Sequence, residues 1–480
     1  MARRGPWIAV GVVAALALYH LLEPAAGDQA LGMLYGRRLR DGAVMYGDVW
    51  DIRQPLTFYW YATVGSIFGS SVIWLRIGEL LWQGALTWLI ARDVERMTGD
   101  RRRGVVTALA AVAPLFWLMR PNDVAQPDTL VALPIYLAFR AVVAPGRRPL
   151  EARNVVLLGL GTVVIALFKL PYAVLPVLFL ATWVVLHRPA RRAVVRGLAW
   201  YALGAIIAAA LVVAFFVQQG IWEWVAHTWF VQGPAMRRLS PPPLSRLVTT
   251  AGRVLVFAAP VGAGAAVGLV ALRRAPRDPW MVAAAVWLGG AALALLAQQW
   301  WSYQALALLV PLGLLAGEPL SRLLRGPREW LIAAGLVCAL AVVGNPSYAR
   351  ALLHHGTDRT AIARELGNPV QERADAAAFL AAPGRLPGDV YVFGNPEILD
   401  GLGRSQRIAI HGWSPEFYDD TTWARLSSEL AARPPAYLFV DEFSEGRLRA
   451  RAPGLWRWIG RRYVQERPLP GGISIYRRAA

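Results

Sequence analysis

The chain has 480 residues, of which 56% are hydrophobic and 17% charged, and its mean hydropathy is positive. That balance excludes an ordinary multidomain soluble enzyme and places the chain in a bilayer. The net charge of +19, from 50 basic and 31 acidic residues, sits mostly in short loops between apolar runs. There it reads as topology signal and lipid-headgroup contact, not as a nucleic-acid surface.

The start, MARRG followed by an apolar run to Leu22, resembles a signal peptide, with Pro24-Ala25-Ala26-Gly27 as a cleavage-like end. The many apolar runs that follow favour an uncleaved anchor. The first long polar interruption runs from Asp28 to Tyr59, and interleaves Asp28, Asp41, Asp48 and Asp51 with Arg37, Arg38, Arg40 and Arg53. The single cysteine, Cys338, permits no intrachain disulfide. Lys169 is the only lysine, every other cationic side chain apart from histidine being arginine.

Further along, apolar runs predict spans at 7–23, 72–91, 104–119, 129–144, 153–169, 171–187, 196–217, 250–272, 279–297, 303–317 and 329–344. That is about eleven crossings of the usual length. Arginine clusters at Arg3 and Arg4, Arg92 to Arg103, Arg147 to Arg153, Arg188 to Arg196, Arg273 to Arg277 and Arg322 to Arg328 fall on one side by the positive-inside rule. The parity holds only if 56–70, short and broken by Gly65 and Gly69, is re-entrant or interfacial. The N-terminus is then cytoplasmic, and 24–71, Arg120 to Asp128, 218–249 and 345–480 face outward across the plasma membrane. The Trp-rich 218–249 stretch is expected along the membrane surface.

After Val343 polar residues rise and no long apolar run returns. Strand-like runs at Val390–Phe393, Arg407–His411, Ala436–Val440 and Ile473–Tyr476 alternate with helical stretches such as Pro369–Leu380, capped by Asn368. The expectation is a polytopic α-helical membrane domain over 1–344, with its first extracytoplasmic loop at 24–71, and a small extracytoplasmic α/β domain over 345–480.

Several polar groups share the outer depth: the Asp/Arg loop, Gln126 with Asp128, and Lys169 at a helix end. Lys169 reads either as a snorkelling end-cap or as a compact point charge for a phosphate, and the absence of other lysines favours the second. Asp28, directly after the first helix, is placed to accept a proton from a hydroxyl. Asp48 is the second candidate.

These pieces carry a resemblance. Asp28 after the first helix, Gly42 with Tyr46-Gly47-Asp48-Val49-Trp50-Asp51, Gln54-Pro55-Leu56 and the aromatic run to Phe68-Gly69-Ser70 and Arg76 resemble the GT-C membrane glycosyltransferases. The similarity is greatest to the protein O-mannosyltransferase and lipid A aminoarabinose transferase branch. Gln126-Pro127-Asp128, Phe168-Lys169 and Trp222 to Arg237 resemble that branch's acidic, lysine and juxtamembrane motifs, so the likeness covers roughly residues 5–240.

The resemblance implies an inverting enzyme of the cell envelope that moves a sugar from a polyprenyl-phosphate donor to a glycan, lipid or protein acceptor. Asp28 would be the base, with Asp48 behind it. Lys169 and nearby arginines would hold the lipid phosphate and Asp128 would help position the sugar, with Arg53, Arg37, Gln126 and Tyr46 as further substrate-binding candidates. Two departures stand out: Gln29 where the family commonly has a second acid, and Gln54 where it has a lysine before the proline, a role open to Arg53. No cofactor is implied, since metal binding through an acidic pair loses its second carboxylate. The competing class is a transporter or flippase of a lipid-linked or anionic substrate, for which internal repeats and midplane charges are the usual signs.

Overall fold

The computed structural model describes residues 4–25, 27–120, 123–143, 150–274, 277–367 and 370–479. Arg3, Ala26, Arg147, Asn368 and Pro369, named above, and positions 121–122 of the stretch Arg120 to Asp128 lie outside the described residues. The chain divides into two compact units, one of 1–22, 73–215 and 242–349, the other of 23–72, 216–241 and 350–480.

The first unit is helical. Two of its helix starts carry an aspartate cap: the Asp100 carboxylate accepts from the Arg102 and Arg103 amides at the start of Arg101–Leu118. Asp278 does the same for Trp280 and Met281 in Pro279–Leu296. Each such cap satisfies amides that a helix start otherwise leaves without partners.

Five helices among the described residues are long and apolar enough to cross a membrane: Leu170–His187, Arg191–Gln218, Pro279–Leu296, Ser302–Leu323 and Pro327–Gly344. Leu244–Phe257 and Ala259–Leu272, bent by 84°, count as a sixth if taken as one broken span, and Leu56–Phe68 with Val72–Thr98 as a seventh. Gly5–Ala17 and Ala152–Phe168 are apolar but shorter.

Close helix contacts rest on small residues. A Cβ on Gly159 would stand 2.2 Å from the Tyr201 carbonyl, and one on Gly204 would stand 2.2 Å from that of Val156. The two glycines thus let Ala152–Phe168 and Arg191–Gln218 cross backbone to backbone, and Thr162 Oγ1 lies 2.7 Å from the Tyr201 hydroxyl at the same crossing. Where apolar tails surround a helix, such packing and interhelical hydrogen bonds replace the hydrophobic drive.

The second unit packs helix Asp28–Arg40 against helix Leu56–Phe68. Tyr61 presses so closely on Gly32 that a Cβ there would meet its ring at 2.7 Å. The same unit carries a four-stranded sheet of β1 (Val390–Phe393), β2 (Tyr437–Val440), β3 (Tyr463–Gln465) and β4 (Ser474–Arg478) in the order β1-β2-β4-β3. β1 and β2 are parallel, Val390 opposite Tyr437, and β4 is antiparallel to both β2 and β3. A parallel pair needs a long return connection, here helix Asp420–Ala432, capped by Asp419. Val390, Val392, Phe439 and Ile475 are buried together with Ala376, Leu380 and Ile398.

The runs at 390–393, 436–440 and 473–476 form strands, but 407–411 does not. Its backbone partners lie elsewhere: the Trp50 amide donates to Ala409 O at 2.9 Å, the Tyr391 hydroxyl to Ile410 O at 3.0 Å, and Ala409 N–H to Glu429 Oε2 at 3.0 Å. β3, with two of its three residues exposed, lacks the alternation that marks a strand in sequence.

Replacing Gly204 with Ala will lower the thermal unfolding midpoint in detergent. Alanine gains about 1 kcal/mol of helix propensity, and the backbone clash costs about 1–3 kcal/mol, so the loss wins. Gly161→Ala, in the same pair of helices but with open space around its Cβ position, will leave the midpoint unchanged or raise it.

Candidate active site

The predicted residues fall into two clusters, one in each unit. Asp28, Arg37, Tyr46, Asp48 and Arg53 belong to the second unit, while Gln126, Asp128 and Lys169 belong to the first.

In the second unit, Asp28 opens helix Asp28–Arg40, where the helix dipole favours a negative charge. Its Oδ1 accepts the Nε1–H of Trp413 at 2.8 Å, and its Oδ2 lies 3.2 Å from Arg53 Nη1. The carboxylate is 23% exposed, so it is held from two sides yet still reachable.

Arg53 also serves Asp51: its Nε donates to Oδ1 at 2.8 Å and its Nη2 to Oδ2 at 2.7 Å, while its backbone amide reaches Oδ1 at 2.8 Å. This is the two-pronged pairing that a planar guanidinium makes with a carboxylate. The His411 ring stands 3.2 Å from Asp51 Oδ2 through Nε2, off the line of a well-directed hydrogen bond. Its Nδ1 accepts the Trp413 amide at 2.9 Å, which leaves the ring proton on Nε2, facing Asp51. Burial alone would push the Asp51 carboxyl up. The Arg53 charge and hydrogen bonds, aided by His411, instead hold it well below the usual carboxylate range.

Tyr46 is fully buried with a backbone φ of 71°. Its hydroxyl donates to the Arg53 carbonyl at 2.7 Å and accepts from Trp229 Nε1 at 2.7 Å. Burial pushes its phenol above the ordinary value. Asp48 is exposed and caps its own turn by accepting the Val44 amide at 2.8 Å. Arg37 pairs with Asp400 at 2.5 Å, beside Arg373. The Trp-rich stretch folds as Trp222–Ala226, a π-helical turn His227–Gln232 and Gly233–Leu239. Trp224 packs on Trp50 and stacks on His227, and Trp229 packs on Tyr46, while Phe230 and Val231 stay exposed.

In the first unit, Asp128 is fully buried on the short helix Pro127–Leu130. Its Oδ2 accepts Lys169 Nζ at 2.5 Å and its Oδ1 the Tyr172 hydroxyl at 3.0 Å. Lys169 follows the last turn of Ala152–Phe168, and its ammonium lies 5.9 Å from the centre of the Tyr303 ring. Helix Val72–Thr98 braces the loop: Glu79 accepts the Ala125 amide at 2.7 Å, Gln83 Nε2 donates to Thr129 O at 3.2 Å and Trp82 Nε1 to Leu130 O at 2.9 Å. Gln126 is buried and its carbonyl accepts from Thr129. Asp123 accepts from the Ser302 hydroxyl and the Arg120 amide, and burial outweighs both in raising its carboxyl.

The structure thus joins Asp28 to Arg53, and Asp128 to Lys169, and gives Asp48 and Arg37 partners of their own. Sequence reasoning missed His411, Trp413, Tyr172 and the dominant pairing of Asp51. The one available signal was His411-Gly412-Trp413, a histidine and a tryptophan flanking a glycine within a polar region. Among the described residues no three His, Cys, Asp or Glu side chains converge as a metal site would require.

This architecture, with its apolar helices, is the GT-C fold of membrane glycosyltransferases, and the chain is a multi-pass membrane protein. The particular likeness is to the crystal structure of ArnT from Cupriavidus metallidurans bound to undecaprenyl phosphate, a GT-C lipid A aminoarabinose transferase. It has a TM-score of 0.63 and 15% identity, covering 100% of this chain and 99% of that one. The arabinofuranosyltransferase AftD from Mycobacteria gives 0.48 at 14% identity, over 100% of this chain and 40% of that one. The Archaeoglobus fulgidus oligosaccharyltransferase gives 0.42 at 15%, over 99% and 73%. No protein-family model matches the chain, and no curated protein matches it in sequence.

Asp51→Asn will destabilise the protein by about 3 kcal/mol, the scale for breaking a buried ion pair. Because the folded carboxyl lies below its ordinary value of 3.8, its contribution is present above about pH 4 and fades as pH falls toward the folded value. Unfolding midpoints followed by tryptophan fluorescence from pH 7 to pH 3 will therefore show a weaker acid loss in Asp51→Asn than in the native protein.

Proposed function

We propose that the protein is an inverting glycosyltransferase that moves a sugar from a polyprenyl-phosphate donor to an acceptor hydroxyl at the outer face of the plasma membrane. The observation that carries this reading is the state of Asp28. In a chain with the GT-C fold it is a reachable carboxylate, pinned on both oxygens by donors, at the start of the first helix after the opening apolar run.

In this reading Asp28 accepts the proton of the acceptor O–H. The acceptor oxygen bonds to the anomeric carbon from the face opposite the phosphate, and the carbon–oxygen bond to the phosphate breaks with its electron pair leaving on polyprenyl phosphate. Arg53 holds the carboxylate, and no metal is required for the proton transfer. Lys169, anchored by Asp128, is the point charge for the lipid phosphate. An ammonium has three donors, and Asp128 and Tyr172 fix where it stands. About eleven crossings with a cytoplasmic N-terminus, and an extracytoplasmic α/β domain after the last, complete the topology we assign.

In membranes supplied with labelled undecaprenyl-phosphate sugars, Asp28→Asn will lower transfer at least about 100-fold, within the range for removing a general base, while undecaprenyl phosphate binding persists. Undiminished transfer removes Asp28 as the base, and movement of the lipid-linked sugar across the membrane without transfer points to the transporter class. Lys169→Arg will weaken undecaprenyl phosphate binding about tenfold although charge is kept, because a forked planar cation does not occupy an ammonium's place. Equal binding, measured on purified protein, assigns Lys169 a purely structural part.

A further inference from the structure

Asp28 and four other residues close a circuit within the second unit. Asp28 contacts Arg53, Arg53 contacts Asp51, Asp51 contacts His411, the Trp413 amide donates to His411, and the Trp413 indole returns to Asp28. The step from His411 to Trp413 is therefore tied at both ends to the carboxylates of a loop more than 350 residues earlier.

That step is itself rigid. The Tyr418 hydroxyl donates to the His411 carbonyl, Gly394 N–H to Gly412 O at 3.1 Å, and a Cβ on Gly412 would stand 2.1 Å from Val392 O. At the other end Gly27, directly before Asp28, has φ of 52°, and a Cβ there would meet the Trp413 ring at 3.1 Å. Glycine is needed at both places: backbone carbonyl leaves no room at 412, and at 27 the left-handed backbone and the indole coincide.

We propose that Trp413 is the positioning residue for Asp28, an inference that rests on Asp28 being the base. Held only by Arg53 on Oδ2, the carboxylate would be free to turn about its Cβ–Cγ bond. The indole donor on Oδ1 fixes the plane. An indole is a donor and never an acceptor, so it orients the base without competing for the acceptor's proton. Each oxygen retains a second lone pair, and the carboxylate, 23% exposed, is able to take that proton.

The test uses the full chain in nanodiscs with 15N-labelled tryptophan. Trp413→Phe removes one indole resonance and so assigns it. Asp28→Asn is expected to shift that resonance and speed its exchange with deuterium. With radiolabelled undecaprenyl-phosphate hexoses and pentoses, Trp413→Phe is expected to lower kcat about 10- to 100-fold, the scale of a small misplacement, while donor KM changes less than about twofold. Should that variant unfold, Gly27→Ala, whose methyl presses on the same indole, gives the same split. A resonance indifferent to Asp28→Asn, or an unchanged kcat, overturns the proposal. A native protein that shows the indole shift but transfers no sugar overturns the assignment of Asp28 as a base, and with it the role given to Trp413, while the hydrogen bond itself stands.

Discussion

The second unit depends on one guanidinium. Asp51 is almost wholly buried, and an ionised carboxylate there is tolerable only with a partner that supplies charge and aligned donors together. Arg53 supplies both, from two residues away, and its remaining nitrogen reaches Asp28. The turn that carries it is fixed in turn by Tyr46, which accepts from Trp229 and donates to the Arg53 carbonyl. One side chain thereby divides labour between two carboxylates: Asp51 is spent on structure, and Asp28 keeps exposure and spare acceptor capacity.

How much of this the sequence showed depends on how local each interaction is. The membrane character and the strands at 390–393 and 437–440 follow from composition and short apolar runs. Asp28 stood out because its position after the first helix is a local property. Asp51 carries no such mark, because nothing in the string DVWDIRQP tells that residue 51 is buried and residue 48 is not. Both are aspartates in one loop, and only packing against Trp50 and His411 separates them.

For a different reason, Trp413 and His411 carry only the weak local signal of a histidine and a tryptophan flanking a glycine. Their partners lie more than 350 residues away, and the run 407–411 looks like a strand since it is a short apolar stretch, Ile408-Ala409-Ile410, with two β-branched residues. It fails to become one because Trp50, Tyr391, Glu429 and Tyr418 have already claimed its backbone groups. The same non-local pairing that hid the segment from sequence reading is what makes it rigid.

The lone lysine is explained by the same kind of argument. An arginine at 169 would tend to grip Asp128 with two parallel bonds, taking both oxygens. In the structure Lys169 takes Oδ2 alone and leaves Oδ1 to Tyr172, so the carboxylate ties two side chains from one short stretch to the start of another helix. Two separate donors, one on each oxygen, let Asp128 hold Lys169 and Tyr172 together. In a chain that otherwise uses arginine throughout, the position that keeps lysine is therefore one where a tetrahedral cation and a shared carboxylate fit together and a planar one would displace the tyrosine.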